Sequence, residues 1–281
     1  MVTGSVDAVK ALRERTGAGI MDCKAALRDA GDNIEQAIDI LRKKGMAQAA
    51  KRAGREAKEG LVVVSVNGAK AVLVEVNCET DFVARTDDFK SLAALAVEEA
   101  LAHGESASSS EKISQRVAEL SGKIGEKILL KRIKVLQSGK GLLFSYIHSN
   151  HKLGVLVELA ASKTESLGNA AFLELGKNLA MQIAASNPIC VTRAEVSPAI
   201  VEREKAIFRE EVKGKPDNIV EKIIQGKVDK FYQANCLLEQ PFIRDDKTTV
   251  QALLNQTGKS LSDIIQVKQF VRFQLGESAS A

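Results

Sequence analysis

The stretch Val72-Leu73-Val74-Glu75-Val76 returns 83 positions later as Val155-Leu156-Val157-Glu158-Leu159, and Phe89, Leu92 and Ala96 return as Phe172, Leu175 and Leu179. A pattern repeated at that distance implies two related subdomains of one design. The first is readable in detail. Residues 61–66 (LVVVSV) and 71–76 (AVLVEV), joined by a turn at Asn67-Gly68, carry the signal of a β-hairpin. A helix with Phe89, Leu92 and Ala96 on one face follows. GESASSS (104–110) reads as a polar loop, Glu111 to Lys127 as a helix and Ile128 to Leu136 as a further strand. The fold class is α+β: a core of two related β-β-α subdomains with antiparallel sheets, over residues 61–140 and 141–196.

Different patterns flank this core. Residues 1–45 read as three short helices. Val6, Val9 and Leu12 recur at helical spacing before the break at Thr16-Gly17-Ala18-Gly19, Met21 to Ala30 follows, and Asp32 and Asn33 are placed to cap a third helix with the stripe Ile34, Ala37, Ile38 and Leu41. So small a unit has a marginal core and is suited to docking on something larger. Residues 46–60 are the candidate linker, overlapping a run (42–58) of seven basic residues and one acid. Residues 197–233 predict a protruding antiparallel coiled-coil hairpin. Ser197-Pro198 starts one helix with the stripe Ile200, Ile207, Phe208 and Val212, Gly214-Lys215-Pro216 turns, and Ile219, Ile223, Ile224, Val228 and Phe231 stripe the return. Those stripes would also suit a second copy, so a homodimer through 197–233 is one expectation. Residues 234–275 return to the core with a helix near 248–256 and a strand near 267–275, and 276–281 form a polar tail.

Composition narrows the function classes. The 281 residues carry 45% apolar and 27% charged side chains, with no run of the ~18 apolar residues that a membrane span needs. The first ten residues lack the basic start and apolar run of a secretory leader. Four cysteines lie far apart with no C-x-x-C, which fits reduced thiols and predicts a cytoplasmic setting. A net charge of +4, aromatics at 4% and no Trp argue against a dedicated nucleic-acid binder. An RNA-binding accessory protein, using the basic run and the GXXG-like Gly122-Lys123-Ile124-Gly125, stands as the alternative. No phosphate loop, dinucleotide fingerprint or nucleophile elbow is present. His148 and His151 form an H-x-x-H on a turn without a carboxylate or thiol beside them, so they read as exposed turn residues rather than metal ligands. No catalytic residue, metal site or cofactor is called for.

The segment Glu79-Thr80-Asp81-Phe82-Val83 is the odd one. It follows the second strand of the first repeat, and its counterpart Ser162-Lys163-Thr164-Glu165 is polar, so the fold does not need an aromatic there. Phe82 is either an anchor for a partner's pocket or a local packing residue. As an anchor, its burial is worth roughly 1.5–3 kcal/mol.

Leu12 to Leu27 reads LRERTGAGIMDCKAAL, Val74 to Val83 reads VEVNCETDFV, and residues 270–277 read FVRFQLGE. In order, and over essentially the whole chain, these resemble the bacterial elongation factor Ts family. The resemblance implies a guanine-nucleotide exchange factor for elongation factor Tu, the GTPase that carries aminoacyl-tRNA, acting by binding and without covalent chemistry. It implies an N-terminal module like a ubiquitin-associated domain, a two-subdomain core and a coiled-coil hairpin. It places the exchange loop on Thr80, Asp81, Phe82 and Val83, with the Phe wedged between two GTPase helices and the Asp disturbing the adjacent magnesium site. Further contacts fall on Ile20, Met21 and Lys24, on Ile124, Gly125 and His148, and on Phe242 and Ile243. Arg244 stands where some relatives are apolar, and the extra C-terminal helix of some relatives has no counterpart before the chain ends, which together predict weaker binding.

Overall fold

The computed structural model describes residues 5–212 and 216–277. It opens with α1 (Val6–Thr16), α2 (Ile20–Asp29) and α3 (Ile34–Lys51). Ser5 and Asn33 cap α1 and α3 by accepting from the amides of Ala8 and Gln36, and Gly17, at φ +66°, ends α1 in the left-handed conformation. Leu12, Cys23, Ala26, Leu27 and Ala37 form the small core of this unit, while Val6 is exposed.

The core's first unit runs β1 (Glu59–Asn67), β2 (Lys70–Cys78), α4 (Asp81–Ala84), α5 (Asp87–His103), α6 (Glu111–Ile124) and β3 (Leu129–Gln137). The second begins with β4 (Gly141–Ile147), β5 (Leu153–Ala161) and α7 (Ala170–Ser186). The paired helices α8 (Pro198–Glu211) and α9 (Asp217–Asn235) follow. The chain then forms β6 (Pro241–Phe242), β7 (Asp245–Thr249), α10 (Val250–Leu261) and β8 (Ile265–Gln274).

Two three-stranded antiparallel sheets result, ordered β1-β2-β3 and β4-β5-β8, and β6 pairs with β7 as a separate two-stranded ribbon. The second repeat thus takes its third strand from the end of the chain, across the inserted hairpin. Alternation along the central strands sets the layers. Val72, Val74 and Val76 of β2 face a core shared with α5, and Val155, Val157 and Leu159 of β5 face one shared with α7. Leu73 and Leu156 point the other way, into a third cluster between the sheets with Val62, Leu143 and Phe273. Because both faces of β2 and β5 are covered, they read as near-continuous apolar runs. The sheets approach closely at Gly154, where an added Cβ would lie 2.7 Å from Val62 and 2.8 Å from Leu73. Register bulges fall at Glu75/Val76 and at Glu158/Leu159, the same place in each repeat.

Several local expectations are corrected. The hairpin turn is Gly68-Ala69, one residue later than read, since Asn67 pairs with Lys70 and Gly68 takes φ +58°. Residues 104–109 form a 3-10 turn rather than an open loop. The helix α3 does not stop at the expected linker but runs to Lys51, packing on α6 where a Cβ on Gly122 would lie 3.3 Å from the Gly45 Cα. Only 52–58 remain as a connection. In the helical pair the buried seam is Val201, Phe208, Val212, Val220, Ile223, Ile224, Val228 and Tyr232, whereas Ile200, Ile207 and Ile219 of the predicted stripes are exposed. Pro198 holds the first helical position, but the Ser197 side chain makes no capping bond. Gly214 and Lys215 of the expected turn, and residues 278–281 of the tail, lie outside the described residues.

Candidate functional site

The exchange-loop candidate leaves the end of β2 and forms α4, a single turn of helix. Thr80 is its N-cap, its Oγ1 accepting from the Val83 amide at 3.5 Å. Val83 and Ala84 bury their side chains in the core beneath α5, and this anchors the turn from inside. Phe82 points the opposite way and is 80% exposed. Asp81 lies beside it in an ion pair with Arg85 at 2.7 Å. Such exposed pairs hold by only ~0–1 kcal/mol, so Asp81 is available at little cost. Of the open readings for Phe82, local packing is removed: its ring has no place in the core.

The base of this loop is tied to the turn between α6 and β3. The Glu126 carboxylate accepts from the Glu79 amide (3.1 Å), the Thr80 amide (3.0 Å) and the Thr80 hydroxyl (2.7 Å). The Glu79 carboxylate reciprocates, accepting from the Lys127 amide at 2.6 Å and pairing with Arg55 at 3.2 Å. The Lys127 amide first, and Arg55 with it, hold the Glu79 carboxyl below the usual range. Cys78, buried just before the loop, donates to the Thr80 carbonyl at 3.1 Å, and burial pushes its thiol up to about 12, so it is no nucleophile.

The other predicted residues distribute as follows. Ile20 (54% exposed), Met21 (76% exposed) and the exposed Lys24 stand at the start of α2. Ile124 is half-buried at the end of α6, and Gly125 is its left-handed cap at φ +86°. Gly122 to Gly125 is therefore a helix terminus, not a free loop. Lys123 lies against Gly17 of the α1–α2 turn, so the first module touches the helix that ends at the loop's base. His148 is exposed on the β4–β5 turn, its Nδ1 2.9 Å from the Tyr146 hydroxyl. That turn adjoins β1, through the Val62 amide donating to the His151 carbonyl (2.8 Å) and the Lys152–Glu59 pair (2.7 Å). Since Glu59 pairs with Cys78, the turn and the exchange loop share one end of the sandwich. Phe242 corrects the expectation of a surface contact: it is buried, and Ile243 is what the turn exposes.

Sequence reasoning missed Glu126 and Arg85, and named Glu79 without giving it a role. The only signal was proximity along the chain, Arg85 to the segment 79–83 that includes Glu79, and Glu126 to Gly125. It also misjudged the basic run, several of whose charges are engaged within the chain. Arg52 donates to the Ser121 carbonyl (3.2 Å), Arg55 pairs with Glu79, and Lys44 pairs with Asp22 at 2.6 Å. No group of His, Cys, Asp and Glu suited to a metal is found among the described residues, and none of their helices is long and apolar enough to cross a membrane.

The family described as "Elongation factor TS" matches residues 79–277, which begin at the exchange loop. The chain belongs to the elongation factor Ts family. It is 48% identical to "Elongation factor Ts" of Nitratidesulfovibrio vulgaris (strain DP4) over 278 residues, covering 97% of this chain and 96% of that protein. It is 45% identical to the protein of the same name from Prosthecochloris aestuarii, covering 95% and 97%, and 41% identical to that from Clostridium kluyveri, covering 99% and 94%. Membership of the elongation factor Ts family implies a nucleotide exchange factor for elongation factor Tu, with a role in translation elongation.

Proposed function

We propose that this chain binds elongation factor Tu in its GDP-bound form, in the cytoplasm, and promotes GDP release by inserting Phe82 beside the GTPase's magnesium and phosphate site. The observation that carries this reading is a phenylalanine 80% exposed on a turn whose neighbours are buried and tied down. An ordered apolar side chain held in water gains free energy only when a partner covers it. Linkage gives the mechanism. A factor that binds the nucleotide-free GTPase better than the GDP-bound one must weaken GDP binding by the same factor. Covering Phe82 only in the nucleotide-free complex supplies about 1.5–3 kcal/mol, roughly ten- to hundredfold in GDP affinity. Asp81, releasable from Arg85, brings a carboxylate to the region where magnesium neutralises the phosphates, and there it repels the phosphates and the carboxylate ligands of the ion. Ile20, Met21, Lys24 and Ile243 supply contacts that hold the complex, while Ile124, Gly125 and His148 help displace the phosphate-binding loop.

The test is release of fluorescent GDP from elongation factor Tu by stopped flow, at saturating concentrations of the parent protein and of Phe82→Ala. The parent accelerates release, and the variant does so roughly ten- to hundredfold less. Equal acceleration by both would remove Phe82 from the mechanism. No acceleration by the parent would remove the exchange function.

A further inference from the structure

The loop that carries Phe82 is clamped in a way that the second repeat reproduces without the phenylalanine. There the Asp263 carboxylate accepts from the Ser162 amide (3.1 Å), the Lys163 amide (3.0 Å) and the Ser166 hydroxyl (2.6 Å). Ser162 and Lys163 are the 83-residue counterparts of Glu79 and Thr80. Asp263 also matches Glu126 in setting: each carboxylate follows a left-handed helix cap, Ser262 at φ +51° and Gly125 at φ +86°, and each precedes the third strand of its sheet. Two carboxylates in equivalent places, each taking two amides and one hydroxyl from the segment after the middle strand (Asp263 takes the Ile264 amide at 2.6 Å as well), are a device of the fold for ending that strand. In the first repeat alone the clamped segment continues into an exposed aromatic.

We infer that Glu126 is a positioning residue for nucleotide exchange: by fixing Glu79 and Thr80 it sets the direction in which α4 presents Phe82. The inference rests on the reading of Phe82 as the exchange wedge. An ionised carboxylate is an acceptor with room for all three donors, and its bonds are of the stronger, charge-assisted kind. Without them the loop's base keeps the Glu79–Lys127 and Glu79–Arg55 contacts, and Val83 still anchors from below. The loop would therefore stay attached but lose its fixed angle. A side chain that must enter a narrow gap loses rate when its approach is not pre-set.

The test is a double-mutant cycle in the full chain, read by GDP release from elongation factor Tu as a function of factor concentration. Glu126→Ala lowers the maximal rate about tenfold, the scale of one lost charge-assisted hydrogen bond. The half-saturating concentration changes little, because the α2 contacts are untouched. Glu126→Gln, which keeps one acceptor oxygen, recovers part of the rate. In the Phe82→Ala background Glu126→Ala has no further effect. Asp263→Ala breaks the sister clamp at the far end of the sandwich, and its maximal rate stays at the parent's. Melting curves identify any variant that fails to fold, and Glu126→Gln then carries the test. A slow Phe82→Ala beside a parent-like Glu126→Ala overturns the positioning role and leaves the wedge standing. So does a Glu126→Ala cost that persists in full without Phe82. If Phe82→Ala is itself as fast as the parent, wedge and positioning fall together.

Discussion

The two repeats share a scaffold and differ in what they hang on it. β2 and β5 occupy the same place in their sheets, bulge at the same residue, and end in a segment pinned by a carboxylate after a helix cap. After that pin, the first repeat makes a helical turn with Phe82 outward, while the second makes the polar 3-10 turn Thr164–Gly168. The difference teaches that the clamp is common to both repeats and the exposed aromatic is peculiar to the first. A fold that closes equally well without an aromatic has no structural reason to expose one. Position separates the repeats as well. The second clamp lies at the other end of β5 from the β4–β5 turn, nine residues at ~3.3 Å each, or roughly 25–30 Å away.

The largest contrast expected between the repeats is in stability. Glu75 and Glu158 are equivalent, both buried between the sheets, but their partners differ: Arg132 at 2.6 Å for Glu75, Gln269 at 2.8 Å for Glu158. Arg132 also donates to the Gln274 carbonyl and stacks 4.0 Å from the centre of the Phe273 ring, joining one sheet to the other. Arg132→Met strands a buried carboxylate, leaving it the Gly276 amide, and should cost about 3 kcal/mol in urea unfolding. Gln269→Ala should cost about 1 kcal/mol. Equal costs would mean that the two sites are electrostatically alike.

Next in size is the functional contrast. Phe82→Ala should leave the melting temperature within a degree or two of the parent, since an exposed side chain contributes within about 0.5 kcal/mol to stability, while exchange falls as stated above. Its mirror is Glu165→Phe, which places an aromatic at the position equivalent to Phe82 in the second repeat. Combined with Phe82→Ala it should restore none of the lost rate, because that end of the sandwich faces away from the exchange loop. Restored exchange would show that any exposed aromatic suffices and that the placement of Phe82 is irrelevant.

The smallest effect is one of pH. The Ser166 hydroxyl, with the amides of Ile264, Lys163 and Ser162, holds the Asp263 carboxyl below its ordinary range. A depressed native pKa adds stability that is present at neutral pH and is lost as pH falls through the native value. Asp263→Asn should therefore flatten the acid limb of the melting profile below about pH 4 and alter its slope little above that. An unchanged acid limb would show that the carboxylate titrates alike in the folded and unfolded chain.

What the sequence made legible followed from local pattern. The runs of β2 and β5, the helical stripe of Phe89, Leu92 and Ala96, and the oddness of Phe82 were all visible because each is a statement about neighbours along the chain. What it hid depended on contacts at long range. The C-terminal part of α3 lacks an apolar stripe because it meets α6 through Gly45 and Gly122, a close backbone approach that no hydrophobic period reveals. The kinship of Glu126 and Asp263 was hidden because α8 and α9 interrupt the second repeat and destroy the fixed 83-residue shift after α7. Phe242 looked like a surface residue beside Ile243, yet burial takes the first and leaves the second.

Phe82 can drive GDP from its site only by binding differentially, not merely by binding. The direct measurement is a pair of titrations, of parent and of Phe82→Ala, against nucleotide-free and GDP-bound elongation factor Tu. The substitution is expected to weaken binding to the nucleotide-free form roughly ten- to hundredfold and to leave binding to the GDP-bound form nearly unchanged, shrinking the ratio of the two. An equal loss against both forms would contradict this, because uniform binding energy cannot drive GDP from its site.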